Sequence, residues 1–159
     1  MSDDLSRSAR RVQEALAAKG TSFEVVELPA TTRTAVDAAN AIGCTVAQIA
    51  KSIVFRTVAA KAPVMVVASG VNRVNEKRVG EILGEPIEKA DAEYVRARTG
   101  FAIGGVPPVG HVEPIRVIVD EDLFALGELW AAAGTPNSVF KVSAASLVEM
   151  TGGEVKAIK

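Results

Sequence analysis

The sequence has 159 residues, 48% hydrophobic and 23% charged, with a formal net charge of −1, and this length supports one core and therefore one domain over residues 1–159. The near-neutral charge argues against a protein that follows a long stretch of DNA or RNA, and no apolar run reaches the ~20 residues that span a membrane. The acidic start is unlike a signal peptide, and one cysteine and one histidine cannot form an internal disulfide or a zinc cluster, so we expect a cytoplasmic protein without a structural metal.

The first half of the chain predicts helices and strands in alternation. Apolar residues recur at helical spacing in residues 4–19, which predicts an amphipathic helix that ends at Gly20. Thr34 and Thr45 are each followed three residues later by a capping partner and are predicted to begin a helix ending at Gly43 and a short helical turn. Strands are predicted at 23–28, 52–58 and 64–68, where β-branched residues are frequent.

The second half continues in the same way. Asn75, Asp91 and Ser143 are predicted to cap three helices, and strands are predicted at 115–119, 128–132 and 139–142, with a short helix at 121–126. No linker divides the chain, and the Gly-x-Gly-x-x-Gly sequence of a doubly wound nucleotide fold is absent. We therefore expect a single-domain α/β fold in which a mixed, partly curled, barrel-like sheet is surrounded by helices.

Lys51 is the first residue at which the pattern conflicts with ordinary folding rules. If a strand has begun by this point, Lys51 shares the apolar face of that strand with Ile53 and Phe55. A buried ammonium costs several kcal/mol unless it has a partner or opens onto a wet pocket, so Lys51 is a candidate for holding an anionic ligand. Two other interpretations stay open: the strand begins after Lys51, or the side-chain stem reaches the sheet edge.

The second conflict is an uncharged loop of glycines and prolines between Phe101 and His111. Glycines expose backbone N–H groups to a ligand and prolines stiffen the loop, which together predict a preorganised cradle for a carbonyl or phosphate oxygen. A buried structural connection is the alternative. Residues 105–111 also approach the pattern of a nucleotide phosphate loop, but His111 replaces the lysine, and Pro114 disfavours the helix that such a loop requires.

A conventional nucleophile is not evident in the sequence. His111 is either a general base or a structural residue. There is no Gly-x-Ser-x-Gly or His-Glu-x-x-His motif, and Cys44 has no evident base near it in sequence. A hydrolase built on this chain would have to activate water directly.

An ordered set of motifs resembles the YbaK-like family, whose members are relatives of the editing domain inserted in bacterial prolyl-tRNA synthetases. The motifs are residues 50–55, Ser69-Gly70 at a strand end, residues 72–75 at a helix start, and residues 104–111. The similarity extends from the first helix to residues 151–153 and covers almost the whole chain. The ordered set is specific, although no single motif would be.

The resemblance implies an aminoacyl-tRNA deacylase that acts in trans without a metal or organic cofactor. Lys51 matches the signature lysine of the family and would hold the phosphate or polar groups of the terminal adenosine. The loop backbone would orient the aminoacyl carbonyl through Gly104, Gly105, Val106, Pro107 and Pro108. Because an aminoacyl ester is labile, a positioned water, a polarised carbonyl and the ribose hydroxyl of the substrate can suffice.

Substrate and partners are predicted only in outline. We expect the aminoacylated 3′ end of tRNA, carrying a small residue such as alanine, serine or threonine, with delivery by a synthetase or an elongation factor. The predicted substrate-binding residues are Leu28, Thr31, Thr34, Ser69, Gly70, His111 and Asn137. Many relatives have histidine at the position of Asn137, which exchanges hydrogen bonds but cannot titrate.

Two other functions and two oligomeric states stay open. The same fold could be a non-catalytic adaptor that binds charged tRNA or a synthetase. The Lys51 pocket and glycine loop alone would also suit a small-molecule esterase or a nucleotide-binding regulator. The sequence does not distinguish a monomer from a homodimer, because no heptad seam is sustained.

Overall fold

The computed structural model describes residues 6–29 and 34–159. In these ranges the helices are α1 (Arg7–Ala18), α2 (Ala35–Ile42), α3 (Glu76–Leu83), α4 (Ala92–Thr99) and α5 (Ala144–Thr151). The strands are β1 (Val25–Glu27), β2 (Ile49–Thr57), β3 (Pro63–Ser69), β4 (Ile87–Lys89), β5 (Arg116–Asp120), β6 (Glu128–Ala132), β7 (Ser138–Ser143) and β8 (Glu154–Lys156). Short 3-10 segments at Val46–Gln48 and Glu121–Ala125 precede β2 and follow β5.

Helix starts are fixed by the capping side chains that the sequence predicts. Thr34, Asn75, Asp91 and Ser143 each accept a hydrogen bond from the backbone N–H three residues on, at 3.1, 3.1, 2.8 and 3.1 Å. These bonds satisfy amide groups that have no partner within the helix. The capping predictions are therefore confirmed, as is the capping box at Thr45 and Gln48.

The strands form one mixed sheet in the order β1-β7-β6-β2-β3-β5-β8, and β4 pairs with the far end of β2. The pairs β2·β6, β3·β5 and β5·β8 are parallel and the others antiparallel. Within the described ranges β8 does not pair with β1, so the sheet is open. The predicted mixed α/β fold is thus confirmed, with a sheet that does not close into a barrel. None of the helices in those ranges is long and apolar enough to cross a membrane.

β2 begins at Ile49, earlier than the predicted start at residue 52, so Lys51 lies inside the strand. Ala50 and Val54 pack into the larger core, whereas Phe55 packs into a second core with residues of β3 and α3. Since side chains alternate along a strand, Lys51 lies on the face of Phe55. The alternative that the strand begins after Lys51 is wrong.

The two short edge strands β4 and β8 were not predicted from the sequence. Each has three residues, which is too short for alternation to be recognised. Both add to strands that already have another neighbour, β2 and β5. They extend the sheet and do not pair with Lys51.

Candidate functional site

Two hollows meet at the N-terminal part of β2. The larger has a volume of about 780 Å³ and the smaller about 480 Å³. Both are lined by Lys51, Ser52, Gly104 and Val106. The structure therefore brings the lysine and the glycine–proline loop, which are far apart in sequence, to one shared cavity.

Charged side chains are concentrated in the larger hollow. Among the described residues, Lys51, Arg73 and Lys89 line it together with one acid, Glu76. Its remaining walls are mainly apolar and include Ile53, Phe55, Val95 and Ile103. An excess of cations above apolar walls suits an anionic ligand with a flat hydrophobic part.

The smaller hollow is almost without charge. Lys51 is the one ionisable residue in its described lining, which is otherwise made of small and apolar side chains such as Ala35, Val46, Trp130 and Ala132. Thr34 and Gly70, predicted to bind substrate, also line it. Its volume and walls suit a small side chain rather than a phosphate.

Lys51 is half-buried and lines both hollows. Burial lowers the pKa of Lys51, and the nearby positive charge of Arg73 lowers it further, whereas the negative charge of Asp120 acts in the opposite direction. Removing water from a charged group strengthens its interaction with a ligand of opposite charge. Lys51 is thus a partly desolvated cation in the lining of both hollows.

Ser52 is a residue that the sequence analysis did not select. Its Oγ is buried and has no hydrogen-bond partner among the described residues, although Ser52 lines both hollows. A buried hydroxyl without a partner costs about 1–3 kcal/mol. This hydroxyl is therefore available to a ligand or a water molecule in the shared cavity.

The glycine–proline loop is held at Gly105 by two backbone hydrogen bonds. The Gly105 carbonyl accepts from Gly134 N–H at 2.8 Å, and Gly105 N–H donates to the Ala102 carbonyl at 3.0 Å. A Cβ on Gly105 would lie 2.8 Å from backbone atoms of Thr135, so only glycine fits there. In the described part of the chain, no group accepts a hydrogen bond from the amides of Gly104 and Val106. Both residues line the shared cavity, so their amides are candidate hydrogen-bond donors to a ligand there.

His111 lies behind this loop. Its Nε2 is 2.7 Å from the Pro107 carbonyl oxygen, and with Pro108 it lines a separate hollow of about 380 Å³. Because the carbonyl can only accept, the neutral ring donates from Nε2. Burial lowers the pKa of His111. The structure does not place His111, Pro107 or Pro108 in the lining of the two hollows at Lys51.

The remaining predicted residues are divided. Asn137 donates to the Leu28 carbonyl at 3.0 Å, and Leu28 N–H donates to the Asn137 carbonyl at 2.7 Å. Neither lines the two hollows. Ser69 is buried and donates through Oγ to the Ala47 carbonyl at 2.7 Å. Thr31 lies outside the described residues.

The sequence is similar to those of known proteins. A family model described as the aminoacyl-tRNA editing domain matches residues 29–150. The chain is 28% identical over 132 residues to the uncharacterized protein YwhH of Bacillus subtilis, covering 83% of each chain. It is 30% identical over 117 residues to a proline–tRNA ligase of Xanthomonas campestris pv. campestris, covering 73% of this chain but 20% of the ligase.

Solved structures show the same similarity over nearly the whole chain. The crystal structure of a candidate trans-editing enzyme for prolyl-tRNA synthetase superimposes with a TM-score of 0.93 at 47% identity, covering 98% of this chain and 99% of that one. The structure of the hypothetical protein APE2540 gives a TM-score of 0.86 at 30% identity, covering 93% and 98%. These chains are therefore similar to this one in sequence as well as in fold.

Proposed function

Because the chain belongs to the aminoacyl-tRNA editing domain family, we propose that it hydrolyses the ester bond between a small amino acid and the 3′-terminal adenosine of a mischarged tRNA. The observation that carries this proposal is the shared cavity, which Lys51, Gly104 and Val106 all line. A cation and two fixed N–H donors are what a terminal nucleotide and an ester carbonyl require.

The two hollows suit different parts of this substrate. The larger hollow, with Lys51, Arg73 and Lys89, would take the adenosine and its phosphate. The smaller hollow would take the amino acid side chain, because its walls are apolar and small. The ester would then lie at the junction, next to Gly104, Val106 and the Ser52 hydroxyl.

Hydrolysis at this junction requires no protein nucleophile. The oxygen of a water molecule forms a bond to the carbonyl carbon, and the bond between that carbon and the ribose oxygen breaks. One proton of the water goes to the ribose oxygen, and the released amino acid loses its carboxyl proton to solvent. The amides of Gly104 and Val106 stabilise the oxyanion that develops on the carbonyl oxygen, and Lys51 holds the adenosine in place. None of these steps needs a metal or cofactor.

The proposed partners follow from the substrate. The tRNA is gripped at its aminoacylated end only, which agrees with a net charge of −1. The similarity to a proline–tRNA ligase and to a candidate trans-editing enzyme for prolyl-tRNA synthetase supports a tRNA mischarged by that synthetase. Such a reaction would take place in the cytoplasm, and we propose that residues 1–159 form one deacylase domain.

A deacylation panel tests this function. The purified protein is incubated with tRNA carrying alanine, serine, threonine or cysteine, and with correctly charged prolyl-tRNA. We expect hydrolysis of at least one mischarged tRNA and none of prolyl-tRNA. Lys51→Met should slow the reaction about a hundredfold or more with an unchanged circular dichroism spectrum. Lys77→Met, which removes an exposed lysine of α3 outside both hollows, is the matched control.

The outcomes separate the alternatives. Binding of charged tRNA without turnover on any substrate would indicate an adaptor. Hydrolysis of a free aminoacyl ester as fast as that of the tRNA ester would indicate a small-molecule esterase. Full activity of Lys51→Met would exclude Lys51 from the site.

A further inference from the structure

Asp120 is a buried carboxylate beside the site. It ends β5 and is 1% exposed. Its Oδ2 accepts from Ser69 N–H at 3.0 Å and from Asn72 Nδ2 at 2.8 Å, and its Oδ1 accepts from Asp122 N–H at 2.9 Å. Within the described ranges no lysine or arginine forms an ion pair with it at 4 Å or less. Amide donors therefore hold an anion in the interior without a direct countercharge.

The hydrogen bonds of Asp120 fix the turn from Ser69 to Asn72. This turn is closed by Asn72 N–H, which donates to the Ser69 carbonyl at 2.9 Å. Its other attachment is to the start of β2, where Gly70 N–H donates to the Ile49 carbonyl at 2.7 Å. Gly70 lines the smaller hollow, and the next residue after the turn, Arg73, lines the larger one.

The sheet register places Asp120 in line with Lys51. Lys51 is opposite Ala68, and Val67 is opposite Val119, so the next pair along the register is Ala68 and Asp120. Residues opposite each other in a sheet share a face. Ala68 belongs to the second core, on the face of Lys51. The small residue Ala68 of β3 thus lies between Lys51 on β2 and Asp120 on β5.

We propose that Asp120 is a positioning residue of the Lys51 site: it fixes the turn that carries Arg73 into the larger hollow, and its charge balances Lys51 and Arg73. This inference rests on the proposed function, because balanced cations are needed only if an anionic ligand is to be held. Asp120 does not touch the substrate in this arrangement. It acts by fixing the turn from Ser69 to Asn72 and by the electrostatic effect of its negative charge on Lys51 and Arg73.

The charges around Lys51 agree with this role. Lys51, Arg73 and Lys89 line the larger hollow with Glu76, so cations outnumber acids among the described residues of its lining. Asp120 adds a negative charge two strands away in the sheet register, and this charge opposes the lowering of the Lys51 pKa by burial and by Arg73. Without Asp120, Lys51 would release its proton more easily.

The test is an NMR titration of the Lys51 side chain in protein labelled with ¹³C-lysine, with the Lys51→Met spectrum identifying the signal. We expect Asp120→Asn to lower the pKa of Lys51 and Arg73→Gln to raise it. Glu121→Gln is the matched control, since it removes an exposed carboxylate next to Asp120 in the sequence that lines neither hollow, and it should leave the Lys51 pKa unchanged. If Asp120→Asn does not fold, Asp120→Glu and Arg73→Gln carry the test: the first should keep the Lys51 pKa close to that of the wild type.

An unchanged Lys51 pKa in Asp120→Asn, or an equal fall in Glu121→Gln, would overturn the inference. So would an Arg73→Gln variant with an unaltered Lys51 pKa. The titration needs no substrate and is independent of the proposed reaction. If the Lys51 pKa changes as expected while no aminoacyl-tRNA is hydrolysed, the proposed deacylation is excluded and the proposed role of Asp120 is supported. On an active substrate, Asp120→Asn should lower kcat/KM about tenfold or more, and Glu121→Gln should not.

Discussion

The Nε2 of His111 lies 2.7 Å from the carbonyl oxygen of Pro107, so the histidine supports the loop from behind and does not face Lys51. This contact requires the neutral ring to donate from Nε2. Burial of the ring disfavours the second proton, and for this reason the pKa of His111 falls below its ordinary value of 6.5. A general base at the ester would instead have to line the shared cavity.

Stability should therefore depend on His111 at acidic pH. The unfolded chain binds a proton at His111 more readily than the folded chain does, so protonation favours unfolding. The stabilisation by neutral His111 is complete above pH 6.5 and is lost as the pH falls through the lower folded pKa. We expect the Tm to fall between about pH 7 and pH 5, and to fall less in His111→Gln. Thermal denaturation across this range measures the effect, and parallel curves for the two proteins would contradict it.

Gly105 should tolerate no side chain. A Cβ there would lie 2.8 Å from the backbone of Thr135, so Gly105→Ala must displace the loop or the turn. We expect the free energy of unfolding, from urea denaturation, to fall by about 1–3 kcal/mol. Deacylation should fall with it.

The matched control for Gly105 is Gly84→Ala. Gly84 ends α3 with φ of 82° and has no atom within 4 Å of the position of a Cβ. This variant should lose about 1–2 kcal/mol from backbone strain alone and keep its deacylation rate. Equal activity of the two variants would show that the loop position is not needed for the reaction.

Lys51 should be dispensable for folding. Its half-buried ammonium is paired with no carboxylate at ion-pair distance in the described part of the chain, and burial disfavours its charge. The free energy of unfolding of Lys51→Met should therefore lie within about 1 kcal/mol of that of the wild type, or exceed it. Urea denaturation tests this, and a loss of more than about 2 kcal/mol would mark Lys51 as a structural residue.

The size of the smaller hollow should set the choice of amino acid. Ala132 lines this hollow and is half-buried, so Ala132→Val reduces its volume without filling the core. We expect the ratio of kcat/KM for threonyl-tRNA to that for alanyl-tRNA to fall about tenfold or more, since one methylene group changes the binding by about 1–3 kcal/mol. Ala97→Val, on the exposed side of α4, should leave the ratio unchanged. A fall of the ratio in both variants would show that the smaller hollow does not set the choice of amino acid.

Much of the fold could be predicted because its signals are local. The caps of Thr34, Asn75, Asp91 and Ser143 are each read from a few neighbouring residues. The conflict at Lys51 could also be recognised, because alternation places it with Ile53 and Phe55. The start of β2 was predicted too late because Ile49 follows a 3-10 turn with no break between them.

The remaining features depend on contacts between distant parts of the chain. Asp120 reaches the site through Ser69, which is 51 positions away in the sequence. Asn137 and Leu28, both predicted to bind substrate, are separated by 109 positions and hydrogen-bond to each other. The missing partner of Ser52 Oγ appears only when the packing around it is known. The resemblance to a family indicated the region of the site. The separate roles of its residues could be assigned only from the three-dimensional structure.

Binding of a stable substrate analogue tests most directly whether Lys51 and the loop hold one aminoacyl adenosine. In 3′-alanylamino-3′-deoxyadenosine an amide replaces the labile ester, and its binding can be followed by NMR of uniformly labelled protein. We predict saturable shifts of the Gly104 and Val106 amides and of the Lys51 side chain, which disappear in Lys51→Met. Shifts confined to the hollow at His111, or no saturable shift at all, would contradict this assignment.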